Sequence, residues 1–222
     1  MTERVPVIAI DGPAASGKGT VARRVAEALG FAYLDSGALY RLVGLAALRA
    51  GVDWDDQPRL GALARALDAR FDGERVWLGG EDVTDRIREE DCSDAASRVA
   101  ALPEVRSELL ERQRAWRRPP GLVAEGRDMG SVVFPDAALK IYLTASAAER
   151  ALRRHKQLIG KGIEATIADL LQEIEARDRR DSQRASAPLR MDDAAQLIDT
   201  TALSVDEAVA AIVGRFLAAQ SG

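Results

Sequence analysis

Lys18 ends a stretch whose residue types and spacing suit phosphate chemistry. In Asp11-Gly-Pro-Ala-Ala-Ser-Gly-Lys-Gly-Thr20, four residues separate Gly12 from Gly17 and the lysine follows directly. The glycines Gly12, Gly17 and Gly19, with Pro13, Ala14, Ala15, Ser16 and Thr20, form a loop whose backbone N–H groups can turn inward around phosphate oxygens. A helix N-terminus behind the loop adds positive potential. Lys18 supplies a point charge for the outer phosphates of a nucleoside triphosphate. The elements that must position this loop are legible on both sides of it. Val7-Ile-Ala-Ile10 reads as a short buried strand. After the lysine, Val21, Val25 and Leu29 recur at helical spacing, and Gly30 stands where a C-terminal cap belongs.

Arginines form the second group able to do chemistry, because a planar guanidinium pairs bidentately with phosphate oxygens. Arg41 follows Asp35-Ser-Gly-Ala-Leu-Tyr40, and Arg127 lies in Glu125-Gly-Arg-Asp-Met-Gly130. Each by itself could be a surface ion pair, but together, both beyond strand ends, they suit phosphate clamping. A further cluster runs from Glu149-Arg-Ala-Leu-Arg-Arg154 through the glycine-punctuated Ile159-Gly-Lys-Gly-Ile163 to Arg177-Asp-Arg-Arg-Asp-Ser-Gln-Arg184. Arg177, Arg180 and Arg184 are spaced so that one helix face could carry all three. Such a run can be a solvated face of Arg–Asp pairs. Beside a phosphate loop it reads better as a mobile arginine-bearing lid that closes over ATP and donates charge to a transferring phosphoryl group.

Strand and helix alternate toward both ends of the chain. Phe31-Ala-Tyr-Leu34, Leu122-Val-Ala-Glu125, Leu139-Lys-Ile-Tyr-Leu143 and Gln196-Leu-Ile-Asp199 read as strands with helices between them. The expected architecture is α/β: a doubly wound, five-stranded parallel sheet of the P-loop type with helices on both faces. Ligands of such sheets sit beyond the carboxyl ends of the strands. Residues 68–101 break the alternation. Ala69-Arg-Phe71, Arg75-Val-Trp-Leu78 and Glu81-Asp-Val83, joined by glycine turns, predict a small antiparallel insert followed by a helix around Cys92. A core of residues 1–67, 102–146 and 182–222, an insert of 68–101 and a helical lid of 147–181 complete the expected organisation.

With 222 residues and 47% hydrophobic content the chain can bury an ample core. A net charge of −4 argues against a general nucleic-acid-binding role, which needs a sustained basic surface. The one cysteine, Cys92, excludes an intramolecular disulfide and a cysteine-built zinc site, and reads as a small helix-packing residue. The one histidine, His155, reads as a solvated helix residue. Thr2-Glu-Arg4 leads directly into a strand without a signal-peptide pattern, and no apolar run approaches a membrane span, so a cytoplasmic protein is expected. The Ser221-Gly222 tail is expected to fray.

Gly19 occupies the position where many phosphate loops carry a magnesium-ligating hydroxyl; Gly-Lys-Gly-Thr is the form seen in nucleoside monophosphate kinases. From Val7 to Leu203 the chain resembles the bacterial cytidylate kinase (CMP kinase) family. The matching stretches are Ile10-Asp-Gly-Pro with Gly17-Lys-Gly-Thr20, Leu34-Asp-Ser-Gly-Ala-Leu-Tyr-Arg41, Gly80-Glu-Asp-Val83, and Ala95-Ala-Ser-Arg-Val-Ala-Ala101 with Pro103-Glu-Val-Arg106. Gly126-Arg-Asp-Met-Gly130, Val133-Phe-Pro-Asp136, Arg177-Asp, Arg184, Ala187-Pro-Leu189 and Asp199-Thr-Thr201 complete them.

The resemblance implies that the loop Gly12 to Thr20 binds ATP, with Arg154 contributing from the lid. It implies that Ser36 and Asp128 receive sugar hydroxyls with Arg177 near them, and that Arg41 and Arg127 hold the acceptor's monophosphate. Ser97, Arg106 and Arg184 would contact cytosine, although Ser97 seen alone reads as a small packing residue. Lys18, Arg127, Asp128, Arg177 and Arg180 form the implied catalytic set. Mg2+ accompanies ATP, with no direct protein ligand and the metal held through waters. The implied reaction is transfer of the ATP γ-phosphoryl to CMP or dCMP, giving ADP and CDP or dCDP, by a monomer. UMP, AMP or dTMP as acceptor is the alternative within this architecture. A nucleotide-binding switch is the alternative outside it, and the Asn-Lys-x-Asp guanine-reading pattern such GTPases carry is absent.

Overall fold

The computed structural model describes residues 4–160, 162–184 and 186–220. Lys161 of the glycine-punctuated segment, the opening Thr2-Glu3 and the Ser221-Gly222 tail lie outside them. The chain divides into two compact units, one running to Leu34 and resuming at Trp116, the other spanning Asp35–Ala115.

The first unit is built on strands β1 (Val7–Asp11), β2 (Ala32–Asp35), β6 (Leu122–Gly126), β7 (Leu139–Thr144) and β8 (Gln196–Asp199). They form a five-stranded parallel sheet in the order β2-β6-β1-β7-β8. Ile10 pairs with Glu125 on one side of β1 and with Ile141 on the other. Every residue of β1 and β6 is buried, as expected for a parallel sheet covered on both faces. Helices α1 (Lys18–Leu29) and α8 (Val205–Gln220) pack on the sheet through Val21, Val25, Ile212 and Phe216, which meet Ile8, Ile10 and Ile141. Phe31 closes this core edge-to-face against Phe216, with ring centroids 5.5 Å apart. Because β1 lies between β6 and β7, it stands where the strand order reverses, and the loop leaving its carboxyl end is where such a sheet leaves room for a ligand. Helices α6 (Ala147–Ile159) and α7 (Ile167–Gln183) pack on each other through Ala151, Leu170 and Ile174, and Ala15 of the phosphate loop packs against that cluster.

The second unit holds α2 (Ser36–Ala50), α3 (Gln57–Arg65), α4 (Glu90–Val99), α5 (Pro103–Arg114) and the antiparallel sheet β3 (Ala69–Asp72), β4 (Arg75–Leu78), β5 (Glu81–Asp82). The antiparallel insert stands where its glycine turns predict it. The compact unit is nevertheless wider than 68–101, because α2 and α3 pack on α4 and α5. At the crossing of α2 and α4 the residue is Gly44; a Cβ there would lie 2.8 Å from the Ala95 side chain and 3.1 Å from its backbone. Small residues on both helices thus set this approach. Cys92 is fully buried on α4, in keeping with a packing role.

Candidate active site

The phosphate loop joins β1 to α1. Gly12 is required by a close approach, since a Cβ at this position would collide with the Leu143 carbonyl oxygen of the neighbouring strand. Gly17 is required by its backbone: it caps α1 at φ 86°, in the left-handed region that glycine enters without cost. Ala15 shares that region at φ 57° and carries the strain of a Cβ there. No acidic side chain stands in the first turn of α1, so its positive end is unopposed by carboxylates from its own turn.

Cations hold the loop's carbonyls. Lys18 Nζ donates to the Pro13 carbonyl at 3.2 Å, Arg150 Nη1 to the Ala14 carbonyl at 3.1 Å and Arg153 Nη1 to the Ser16 carbonyl at 3.2 Å. These three cations fix the orientation of the Pro13, Ala14 and Ser16 peptide groups in the loop. Arg150 is itself buried and also donates to the Ala145 carbonyl and, at 2.6 Å, to Asp178 on α7. Arg153 reaches the end of β8, donating to the Thr200 carbonyl at 2.6 Å and to Thr200 Oγ1 at 3.1 Å.

Gly19 has a tertiary explanation. A Cβ at this position would lie 2.8 Å from Glu125 Oε1. The Glu125 carboxylate, at the end of β6, accepts from Tyr33 Oη at 2.8 Å and lies 3.9 Å from Lys18 Nζ. The space that a side chain would claim in the more common loop is therefore filled by a carboxylate from another strand.

Arg127 and Asp128 follow β6. Arg127 Nε donates to Asp181 Oδ2 at 3.0 Å, and Asp128 is buried. Burial raises the Asp181 carboxyl, but Arg127 and then Arg177 outweigh it and hold it below the usual carboxylate range. Arg177 is half-buried on α7, whereas Arg180 faces solvent. Arg184 stands at the very end of this helix. Helix α7 ends at Gln183, and Arg184 is its C-cap in extended conformation, donating to the Ala187 carbonyl. Its N–H still donates to the Arg180 carbonyl at 3.1 Å, and its charge adds to those of Arg127 and Arg177 in holding the Asp181 carboxyl down. Beside the loop, a cavity of about 440 Å³ is lined by Gly17, Thr20, Arg153, Arg154, Leu203 and Val205, among others.

Within the second unit, Ser36 is the buried first residue of α2, where the Asp35 carboxylate caps the helix by accepting from Ala38 N at 3.0 Å. Arg41 follows on the same helix and is half-buried. Ser97 is half-buried on α4. Arg106 on α5 donates to Tyr40 Oη at 3.3 Å and to the Ala100 carbonyl at 3.4 Å, linking α5 to α2 and to the end of α4.

A family model described as cytidylate kinase matches residues 8–217. The chain belongs to the cytidylate kinase family. A cytidylate kinase of Nitrosomonas europaea is 56% identical over 218 residues, covering 98% of each chain. That of Chromobacterium violaceum is 60% identical over 205 residues, covering 92% of each, and that of Bordetella pertussis is 58% identical over 208 residues, covering 94% of this chain and 93% of the other. Among the described residues no helix is long and apolar enough to cross a membrane.

Several residues around the loop carry no local signal of a role there: Asp11, Glu125, Arg150, Arg153, Asp178 and Asp181. Arg150 and Arg153 fell inside the recognised arginine cluster, but nothing local distinguishes them from Arg154. Asp11 is distinguished by its burial. Its carboxyl is pushed up from 3.8 to about 6, burial outweighing two backbone N–H donors. Folding thus favours the protonated form. The contribution is fully present below about pH 4, where the unfolded group is also protonated, and is lost as pH rises to about 6. The loss is on the order of 3 kcal/mol. Urea unfolding at pH 4 and pH 7 is expected to show wild type losing that amount relative to Asp11→Asn; a difference independent of pH would refute it.

Proposed function

We propose that this chain transfers the ATP γ-phosphoryl group to CMP or dCMP. Family membership over residues 8–217, joined to a phosphate loop whose carbonyls are engaged by Lys18, Arg150 and Arg153, carries the reading. An oxygen of the acceptor's phosphate attacks the γ-phosphorus and the bond to the bridging β–γ oxygen breaks, so ADP departs. The attacking oxygen is already ionised, and no general base is required. The protein's task is alignment and positive charge.

In this reading the N–H groups from Gly12 to Thr20 and the Lys18 ammonium receive the ATP phosphates. The adenine enters the cavity beside the loop, where Leu203 and Val205 offer apolar surface and Arg154 a guanidinium plane. The roles implied for Ser36, Arg41, Ser97, Arg106, Arg127, Asp128, Arg177, Arg180 and Arg184 stay with those residues as part of the proposal. Mg2+ accompanies ATP, and the residues present fit it. Mg2+ is commonly bound by phosphates and water with few protein oxygens, and the buried Ser16 hydroxyl has no hydrogen-bond partner in the loop. Bound beside the loop, such an ion would supply positive charge to the phosphates that these residues hold.

The test is ADP formation from ATP and Mg2+ with CMP, dCMP, UMP, AMP and dTMP offered separately. CMP and dCMP are expected to turn over best; a clear preference for another acceptor would overturn the base assignment. ATP hydrolysis indifferent to all acceptors would overturn the kinase reading. Arg184→Ala is expected to raise the KM for CMP by about 10–100-fold, the worth of a charged hydrogen bond. The KM for ATP should change little. Equal effects on both substrates would remove Arg184 from base reading.

A further inference from the structure

Asp11 is the last residue of β1, in register with Gly126 on one side and Tyr142 on the other. Its two carboxylate oxygens accept from consecutive amides: Met129 N–H reaches Oδ1 and Gly130 N–H reaches Oδ2, both at 2.8 Å. Those amides open the π-helical turn Met129–Val133, directly after Arg127 and Asp128. The carbonyl of Asp128 in turn accepts from Val132 N at 2.9 Å and Val133 N at 3.2 Å, so Asp128 is anchored through the same turn. The approach is tight, since a Cβ on Gly130 would lie 3.2 Å from the Lys140 side chain and 3.5 Å from Asp11 Oδ2. On its other side Asp11 adjoins Gly12, itself pressed against the Leu143 carbonyl.

A buried carboxylate is an expensive way to end a strand, and packing alone would favour an apolar residue. What the carboxylate adds is bidentate geometry, since only a group with two acceptor oxygens satisfies both amides at once. We propose that Asp11 is a positioning residue for phosphoryl transfer, fixing the Arg127–Asp128 turn in register with the phosphate loop. The proposal rests on the reading above that Arg127 and Asp128 meet the acceptor.

Asp11→Asn removes no heavy atom but leaves one acceptor oxygen and turns an NH2 group toward an N–H donor. Small displacements of aligned groups are costly, so kcat is expected to fall about tenfold or more, with KM for CMP rising more than KM for ATP. Amide exchange at Met129 and Gly130 is expected to speed up by about tenfold or more, while amides within β1 and β7 keep their protection. A folded Asp11→Asn protein with kcat and KM for CMP within about twofold of wild type would overturn the proposal, even with a lowered melting temperature. Should that variant not fold, Asp11→Glu takes its place; it retains both oxygens but displaces them by one methylene, and the same outcomes apply. Wild type without acceptor-dependent ADP formation would instead overturn the kinase reading, and the exchange measurement would still report whether Asp11 holds the turn.

Discussion

Lys18→Ala is expected to lower kcat by about 10²–10³-fold while the protein remains folded. The ammonium lies among the loop's own atoms, 3.2 Å from the Pro13 carbonyl and 3.9 Å from Glu125 Oε2, and the side chain is buried. In the proposed reaction it would meet phosphates in a site largely withdrawn from water, where a fixed charge is worth far more than on the surface. The variant removes the charge that would track the transferring group and leaves the Glu125 carboxylate with the Tyr33 hydroxyl alone among these two partners. A modest loss of stability, about 1–3 kcal/mol, is therefore expected alongside the loss of rate. Lys18→Arg separates charge from shape: its planar fork is longer and cannot occupy the same point, so it should recover little activity. Circular dichroism and thermal melting report the fold, and coupled ADP assays report turnover. Turnover near wild type in a folded Lys18→Ala protein would remove the loop from the mechanism.

Gly12→Ala is expected to be the second most damaging single change, for a purely steric reason. The added methyl would collide with the Leu143 carbonyl, and that oxygen belongs to the backbone of a central strand. A flexible side chain could swing aside, but a paired strand cannot. Either β7 shifts against β1 or the phosphate loop leaves its course. A stability loss of about 1–3 kcal/mol is expected from the overpacking. Affinity for ATP should fall by about 10²-fold, because the loop's amides no longer converge. Gly30→Ala is the informative comparison. Gly30 caps α1 at φ 66° with no atom within 4 Å of a built Cβ. It should lose only about 1 kcal/mol from its backbone conformation and leave ATP binding intact. Calorimetric titration with ATP and thermal melting of both variants make the test. Equal effects of the two substitutions would show that the close approach at Gly12 does not matter.

The parts of this protein legible from its residues are those whose cause is local. The strand Val7–Asp11, the loop and helix α1 lie within one short segment, and each is announced by its own chemistry: a continuous apolar run, glycines where the backbone must turn, and apolar residues at helical spacing up to Gly30. The antiparallel insert is legible for the same reason, its glycines at 73, 79 and 80 all adopting positive φ between short strands. The spacing of Arg177, Arg180 and Arg184 is local too: although α7 ends at Gln183, the Arg184 N–H still donates to the Arg180 carbonyl.

A phosphate loop between strand and helix, an α/β alternation, an inserted hairpin region and a resemblance carried by short ordered motifs can all be read along the chain. Which charged residues reach the loop emerges only once the strands are assembled. Arg150 and Arg153 reach carbonyls more than a hundred positions earlier, Asp11 grips amides on the turn after β6, and Glu125 fills the space left by Gly19. No periodicity encodes such pairings. They follow from a sheet order that seats β1 between β6 and β7, bringing the carboxyl ends of sequence-distant strands together around one loop.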